Sequence, residues 1–159
     1  TSPSAAAPPT AAGEVAAPGQ PSTAGAGLQS PAAPVPPEVT VEAAGIRVHR
    51  SVAANVTSLV AAARAEGVML TGSGYRSRAQ QAALRVSNGC PDIDRSPSSS
   101  CRVPTARPGR SQHEAGLAID FHRCSTKATD CYRWLSTNAA RFGFYNFDPE
   151  PWHWSTSGR

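Results

Sequence analysis

From residue 51 onward the chain switches between stretches with apolar residues at helical spacing and short runs where they alternate or cluster. Val52, Val56, Leu59, Val60 and Ala63 share one face of a helix expected over 52–66, with Ser51 placed to cap it and Gly67 to end it. Val68-Met69-Leu70-Thr71 is a short apolar run of strand character, and Gly72-Ser73-Gly74 then turns the chain into Tyr75-Arg76. Ser77 can cap a second helix whose apolar positions are Ala79, Ala82, Ala83 and Val86. Residues 88–110, rich in Pro and Ser, read as a long loop. Leu117-Ala118-Ile119-Asp120-Phe121 alternates as a strand does. A third helix is expected over roughly 131–142, with Trp134, Leu135 and Phe142 facing the core and Gly143 stopping it. Phe144-Tyr145-Asn146-Phe147 and Trp152-His153-Trp154 read as two final strands joined by a Pro-bracketed turn. Helices mostly precede short strands, so the fold class expected is α+β, a small antiparallel sheet packed with about three helices.

Composition divides the chain of 159 residues in two. Residues 1–37 hold 9 Pro and 11 Ala with Glu14 as the sole charge, and almost no large apolar side chain. Such a segment cannot bury enough surface to offset the entropy of ordering it, and Pro recurs too often for a helix to propagate. A disordered linker over 1–37 and a single folded domain over 38–159 are therefore expected, the domain large enough for one modest core. All 15 Lys and Arg lie in that domain, against 10 of the 11 acids. No Lys/Arg stripe interleaved with aromatics marks a nucleic-acid surface, so no nucleic-acid partner is expected. An anionic polymer such as a bacterial wall fits the positive balance better. No apolar run reaches 18 residues, which gives no membrane span. The absence of an initiating Met and of a leader suits a mature or truncated secreted product, with the tail as a tether. A monomer is the default expectation.

The four cysteines, Cys90, Cys101, Cys124 and Cys131, contain no CxxC and make a poor structural zinc site. Three pairings are possible. The local one, Cys90 with Cys101 and Cys124 with Cys131, closes two short polar loops, and a loop of about ten residues gains roughly 2–3 kcal/mol by the chain-entropy account. Disulfides imply an oxidising compartment outside the cytoplasm.

Chemistry concentrates in Ser111-Gln112-His113-Glu114-Ala115-Gly116-Leu117-Ala118-Ile119-Asp120 and in Glu150-Pro151-Trp152-His153. Hydrolytic zinc takes three ligands from His, Asp or Glu and keeps a fourth position for water. His113, Asp120 and His153 supply such a set. Gly116 allows a tight turn that folds His113 toward Asp120, and Ala118, on the same strand face as Asp120, leaves room beside it. Glu150, fixed by Pro151, stands near enough to the last ligand to act as general base and then acid.

The SxHxxGxAxD pattern at 111–120, the ExxH pattern at 150–153 and Ser73-Gly74-Tyr75-Arg76-Ser77 upstream resemble the VanY-type zinc D-alanyl-D-alanine carboxypeptidases over roughly 45–155. The resemblance implies a zinc metallopeptidase that removes the terminal D-alanine from peptidoglycan stem peptides. It carries His113, Asp120 and His153 over as zinc ligands, Glu150 as the base and Arg76 as the cation that steadies substrate and oxyanion. It also matches Gln81 and Ser111 to substrate contacts. The residue chemistry of Arg76 agrees, since a free C-terminal carboxylate suits a two-pronged guanidinium held after a Gly-rich turn. The cysteine-bearing loops at 90–101 and 124–131 depart from the family pattern and bear on the cleft rim.

Neighbouring residues have plainer roles. His122 would share a strand face with Asp120, but the motif ends at Asp120 and 122–124 is expected to begin a loop. His49 reads as a surface residue, Glu114 as solvent-facing, Tyr75 as core, and Trp152 and Trp154 as packing and cleft wall. The competing functions are an L-alanyl-D-glutamate endopeptidase, a D-Ala-D-Ala dipeptidase and a non-catalytic wall-binding module of the same fold. The endopeptidase class usually places Asp before the final His, whereas this chain has Glu150-Pro151-Trp152-His153. The wall-binding module should lack a ligand or the base, and none is missing.

Overall fold

The computed structural model describes residues 32–159. The disordered reading of the tail therefore lies, for 1–31, outside the described residues. Within the rest, Val35 already donates its N–H to the Glu114 carbonyl (2.9 Å) and accepts from the Tyr75 hydroxyl (3.1 Å). Contact with the domain thus begins a few residues before 38.

Three helices and two small antiparallel sheets make up the domain. Strands β1 (Thr40–Ala43) and β2 (Ile46–His49) form a hairpin. Its two-residue turn, Ala44-Gly45, has φ of 50° and 80°, the mirror-image turn whose twist matches the flanking strands. This hairpin lies ahead of the elements expected from residue 51 onward, and the polar–apolar alternation of Thr40–Ala43 and Ile46–His49 around a Gly-bearing turn is its signal in the sequence. The second sheet runs β3-β4-β6-β5, with β3 at Gly72–Ser73, β4 at Ala118–Phe121, β5 at Tyr145–Phe147 and β6 at Glu150–Ser155. The last three strands match the expectation. The strand expected at 68–71 does not form; the ladder falls on Gly72 and Ser73, opposite Phe121 and Asp120. The physical reason is closeness of approach, since a Cβ at Gly72 would lie 2.8 Å from the Asp120 carbonyl oxygen.

Helix α1 spans Ala53–Ala65 and buries Val56, Leu59 and Ala63, as the spacing predicts. Its start differs. Residues 50–52 form a 3-10 turn in which the His49 ring accepts from the Ser51 N–H, so Ser51 is not the helix cap. Helix α2, Arg78–Ser87, has the expected Ser77 cap, completed into a capping box by Gln80. Its buried face is inverted relative to the expectation. Gln81 and Arg85 are buried while Val86 is 66% exposed, because the partner of this face is the polar loop 88–110. The Arg85 guanidinium, fully buried, donates to the carbonyls of Thr105, Asp92 and Ser96 and to the Ser96 hydroxyl. Helix α3, Asp130–Asn138, is capped by Thr129, continues as a 3-10 turn to Phe142 and ends at Gly143 in the left-handed conformation.

Ile46, Leu59, Ile119, Phe121, Leu135 and Phe144, each under 3% exposed, belong to one core between α1, α3 and the sheets. Both disulfides take the local pairing, Cys90–Cys101 and Cys124–Cys131. Among the described residues no helix is long and apolar enough to cross a membrane.

Candidate metal centre

Sheet register builds half of the site. Asp120 on β4 lies directly opposite His153 on β6, so their side chains leave the same face as a cross-strand pair. His113 arrives from the turn that precedes β4, where Gly116 at φ 67° lets the chain fold back; a Cβ there would meet the His49 backbone nitrogen at 2.6 Å. That turn is closed by Gly116 N–H to the His113 carbonyl (3.0 Å) and tied to the segment after β3 by Arg76 N–H to the same oxygen (3.1 Å).

The three donors converge. His153 Nδ1 stands 2.9 Å from Asp120 Oδ1, His113 Nε2 3.1 Å from Asp120 Oδ2, and the two ring nitrogens 3.3 Å from each other. Each ring spends its other nitrogen on a carbonyl: His113 Nδ1–H donates to Gly74 O (2.7 Å), His153 Nε2–H to Arg159 O (3.0 Å). A carbonyl can only accept, so these bonds keep the N–H of each neutral imidazole on its outer nitrogen and its lone pair inward; a ring that takes up a second proton donates it from the inner nitrogen to Asp120. Two such lone pairs and a carboxylate at this spacing suit a cation, and tetrahedral zinc with bonds of about 2.0–2.1 Å sets its donors roughly 3.3 Å apart. Among the described residues, His113, Asp120 and His153 are the group that could hold a metal ion.

Charge follows the same geometry. Burial pushes the Asp120 carboxyl up, but hydrogen bonds from His113 and His153 outweigh it and hold the group well below the usual carboxylate range. Burial pulls the His153 imidazole down, and the Asp120 hydrogen bond and charge reverse this to a net rise. Glu150, with Oε2 4.0 Å from His153 Nδ1, is raised by burial, with the charge of His153 partly offsetting that.

Arg76 reaches the cluster from the turn after β3, its Nη2 3.4 Å from Asp120 Oδ2. Its Nη1 donates to Gln81 Oε1 (2.8 Å), and Gln81 in turn donates to the Ala106 carbonyl (2.7 Å). Gln81 is only 1% exposed, so its amide is engaged at both ends against Arg76 and the loop. Ser111, also buried, accepts the His113 N–H at 3.3 Å. A cleft of 570 Å³ opens beside Arg76, lined also by Ser73, Tyr75 and Leu84.

The neighbouring residues resolve as follows. His122 follows β4 in a turn and bonds Ser73 Oγ (3.2 Å), apart from the cluster. Trp154 is core and Trp152 is 37% exposed. Glu114 corrects the expectation of a solvent-facing side chain. It is 1% exposed, and its Oε2 accepts the N–H of Gly109 (2.8 Å) and of Ser111 (3.4 Å). The turn that delivers His113 carries Glu114 inward, and no periodicity in that turn could have signalled it.

The fold and the donor set define a class first: a small α+β domain with a two-histidine, one-aspartate cluster on an antiparallel sheet. Comparison with known proteins agrees. The sequence model of the VanY D-alanyl-D-alanine carboxypeptidase family matches residues 45–159. A D-alanyl-D-alanine carboxypeptidase of Enterococcus faecalis (strain ATCC 700802 / V583) is 31% identical over 148 residues, covering 79% of this chain. The chain spans only 55% of that relative's length. Among solved structures, VanYB in complex with D-alanine-D-alanine matches with a TM-score of 0.57 and 27% identity, over 77% of this chain and 80% of that one. A mutant of the vancomycin resistance D,D-pentapeptidase VanY in complex with Zn(II) matches with a TM-score of 0.55 and 29% identity, over 79% and 83%. The chain belongs to the VanY D-alanyl-D-alanine carboxypeptidase family.

Proposed function

We propose that the domain, beginning near residue 38 behind a Pro/Ala-rich linker, is a zinc-dependent D,D-carboxypeptidase. It would release the terminal D-alanine from peptidoglycan stem peptides. The observation that carries this reading is the convergence of His113 Nε2, His153 Nδ1 and the Asp120 carboxylate within 3.3 Å of one another, with Glu150 and Arg76 beside them. Bound there, zinc would polarise the scissile carbonyl and lower the pKa of a coordinated water toward neutrality.

The chain's own residues supply the rest. Glu150 takes the proton of the attacking water and returns it to the leaving amine nitrogen. Its upward shift moves it toward the pH range where one carboxyl can do both. Arg76 offers its guanidinium to the substrate's C-terminal carboxylate and to the charge that develops on the carbonyl oxygen. Gln81 supports substrate binding by fixing the direction of Arg76, and Ser111 by fixing the backbone of His113. Two disulfides support work outside the cytoplasm, at the cell wall, and a monomer suffices for every role named.

The test is D-alanine release from a muramyl pentapeptide, a tetrapeptide and free D-Ala-D-Ala, each with and without a chelator. Release from the pentapeptide, lost on chelation and restored by zinc, is expected. Release indifferent to chelation, or none from the zinc-loaded protein, would overturn the reading. Preference for the free dipeptide would instead assign a dipeptidase.

A further inference from the structure

Loop 88–110 is anchored by two buried charges that the proposed chemistry does not use. Arg85, fully buried, gathers the carbonyls of Asp92, Ser96 and Thr105. Glu114 holds the N–H groups of Gly109 and Ser111. Between these anchors the Ala106 carbonyl accepts from Gln81, which itself accepts from Arg76. Segment 106–111 is therefore clamped at one end to the support of Arg76 and at the other to the turn that carries His113. Desolvating two charges to fix a surface loop is expensive, and it fixes whatever side chains that segment displays.

It displays Arg107 and Arg110, both exposed. Arg78, two residues beyond Arg76, lies beside them; a Cβ on Gly109 would sit 3.1 Å from its Nη1. Asp94 pairs with Arg78 at 3.6 Å. Arg107 makes one long bond to the Arg95 carbonyl (3.4 Å), and among the described residues neither Arg107 nor Arg110 has an ion-pair partner. Two guanidiniums without an ion-pair partner thus stand on a fixed segment, one and four residues after the carbonyl that supports Gln81, and guanidinium is the side chain best suited to a carboxylate.

We propose that Arg107 and Arg110 form a second anion subsite that binds a carboxylate on the substrate upstream of the scissile bond, so that the enzyme prefers stem peptides with a free acid there over amidated ones. This rests on the peptidase reading above, and the test separates the two. Two synthetic peptides ending in D-Ala-D-Ala are compared, one with a free carboxylate on an upstream residue and one with its carboxamide. Both kcat/KM and equilibrium binding by calorimetry are measured for the wild type, Arg107→Ala/Arg110→Ala and the exposed control Arg64→Ala.

The wild type should favour the carboxylate peptide by about tenfold, the sum of two exposed charge pairs. The double variant should lose that preference through KM while keeping its rate on the carboxamide peptide, and Arg64→Ala should behave as wild type. The preference should also shrink with added salt. Equal handling of the two peptides by the wild type, or an equal loss on both in the double variant, would overturn the subsite. If neither peptide is cleaved, the peptidase reading falls and the calorimetric preference alone decides the subsite, whose absence in binding refutes it.

Discussion

Gly74→Ala tests how far the cluster depends on backbone that carries no ligand. A Cβ at Gly74 would lie 2.1 Å from the Arg47 carbonyl oxygen and 3.1 Å from the Ile46 side chain. Real Cβ contacts essentially never fall below 3.0 Å, so the two backbones must separate by at least 0.9 Å, the difference between 3.0 and 2.1. The same Arg47 oxygen accepts the Tyr75 N–H at 2.6 Å, which ties residues 74 and 75 to β2 and leaves little freedom. Displacement therefore passes to the Gly74 carbonyl, which accepts from His113 Nδ1 at 2.7 Å. Adding the displacement lengthens that contact to about 3.6 Å, beyond hydrogen-bond range.

Losing a buried hydrogen bond costs about 1–3 kcal/mol, and removing a bond that orients a ligating histidine weakens metal affinity by about 10–100-fold, two figures of the same size. The assay is a zinc competition titration against a chromophoric chelator, alongside urea unfolding of the same samples. Gly45→Ala is the matched control. Its φ of 80° makes alanine strained, but no atom lies within 4 Å, so it should lower stability without touching zinc affinity. Zinc affinity within twofold of wild type in a folded Gly74→Ala protein would refute the reasoning.

Glu150→Gln should lower kcat by about 10²–10⁴-fold while zinc binds within a few-fold of wild type; loss of metal in this variant would count against its role as base. After chelation, the raised His153 stabilises the protein fully below its ordinary pKa of 6.5 and less as pH climbs through the raised value, whereas the depressed Asp120 stabilises it fully above the ordinary carboxylate range and loses that contribution only as pH falls into acid. Zinc binding needs both rings neutral, so the zinc-induced rise in melting temperature should grow between about pH 5.5 and 8. A flat or falling zinc effect would remove His153 from the ligand set. Replacing Cys90 and Cys101 together by Ser should lower unfolding free energy by about 2–3 kcal/mol and speed amide exchange in 88–110; unchanged values would show the crosslink to be dispensable.

Local pattern settled a good deal. The 3.6-residue spacing of Val56, Leu59 and Ala63 placed α1, Ser77 marked the start of α2, and alternation across 117–121 placed β4. The donor chemistry of His113, Asp120 and His153 was likewise legible, because zinc restricts its ligands to few residue types. What tertiary structure alone decided is which partner each side chain meets. The β4–β6 register set Asp120 opposite His153, and the carbonyls of Gly74 and Arg159 chose the ring tautomers. Burial of Gln81, Arg85 and Glu114 inverted the polar pattern, because their partners are backbone carbonyls and N–H groups of loop 88–110 and of the turn that follows it. Hydrophobic periodicity reports burial against apolar neighbours. It is silent about polar side chains buried to satisfy backbone, since that need arises only once the chain has folded.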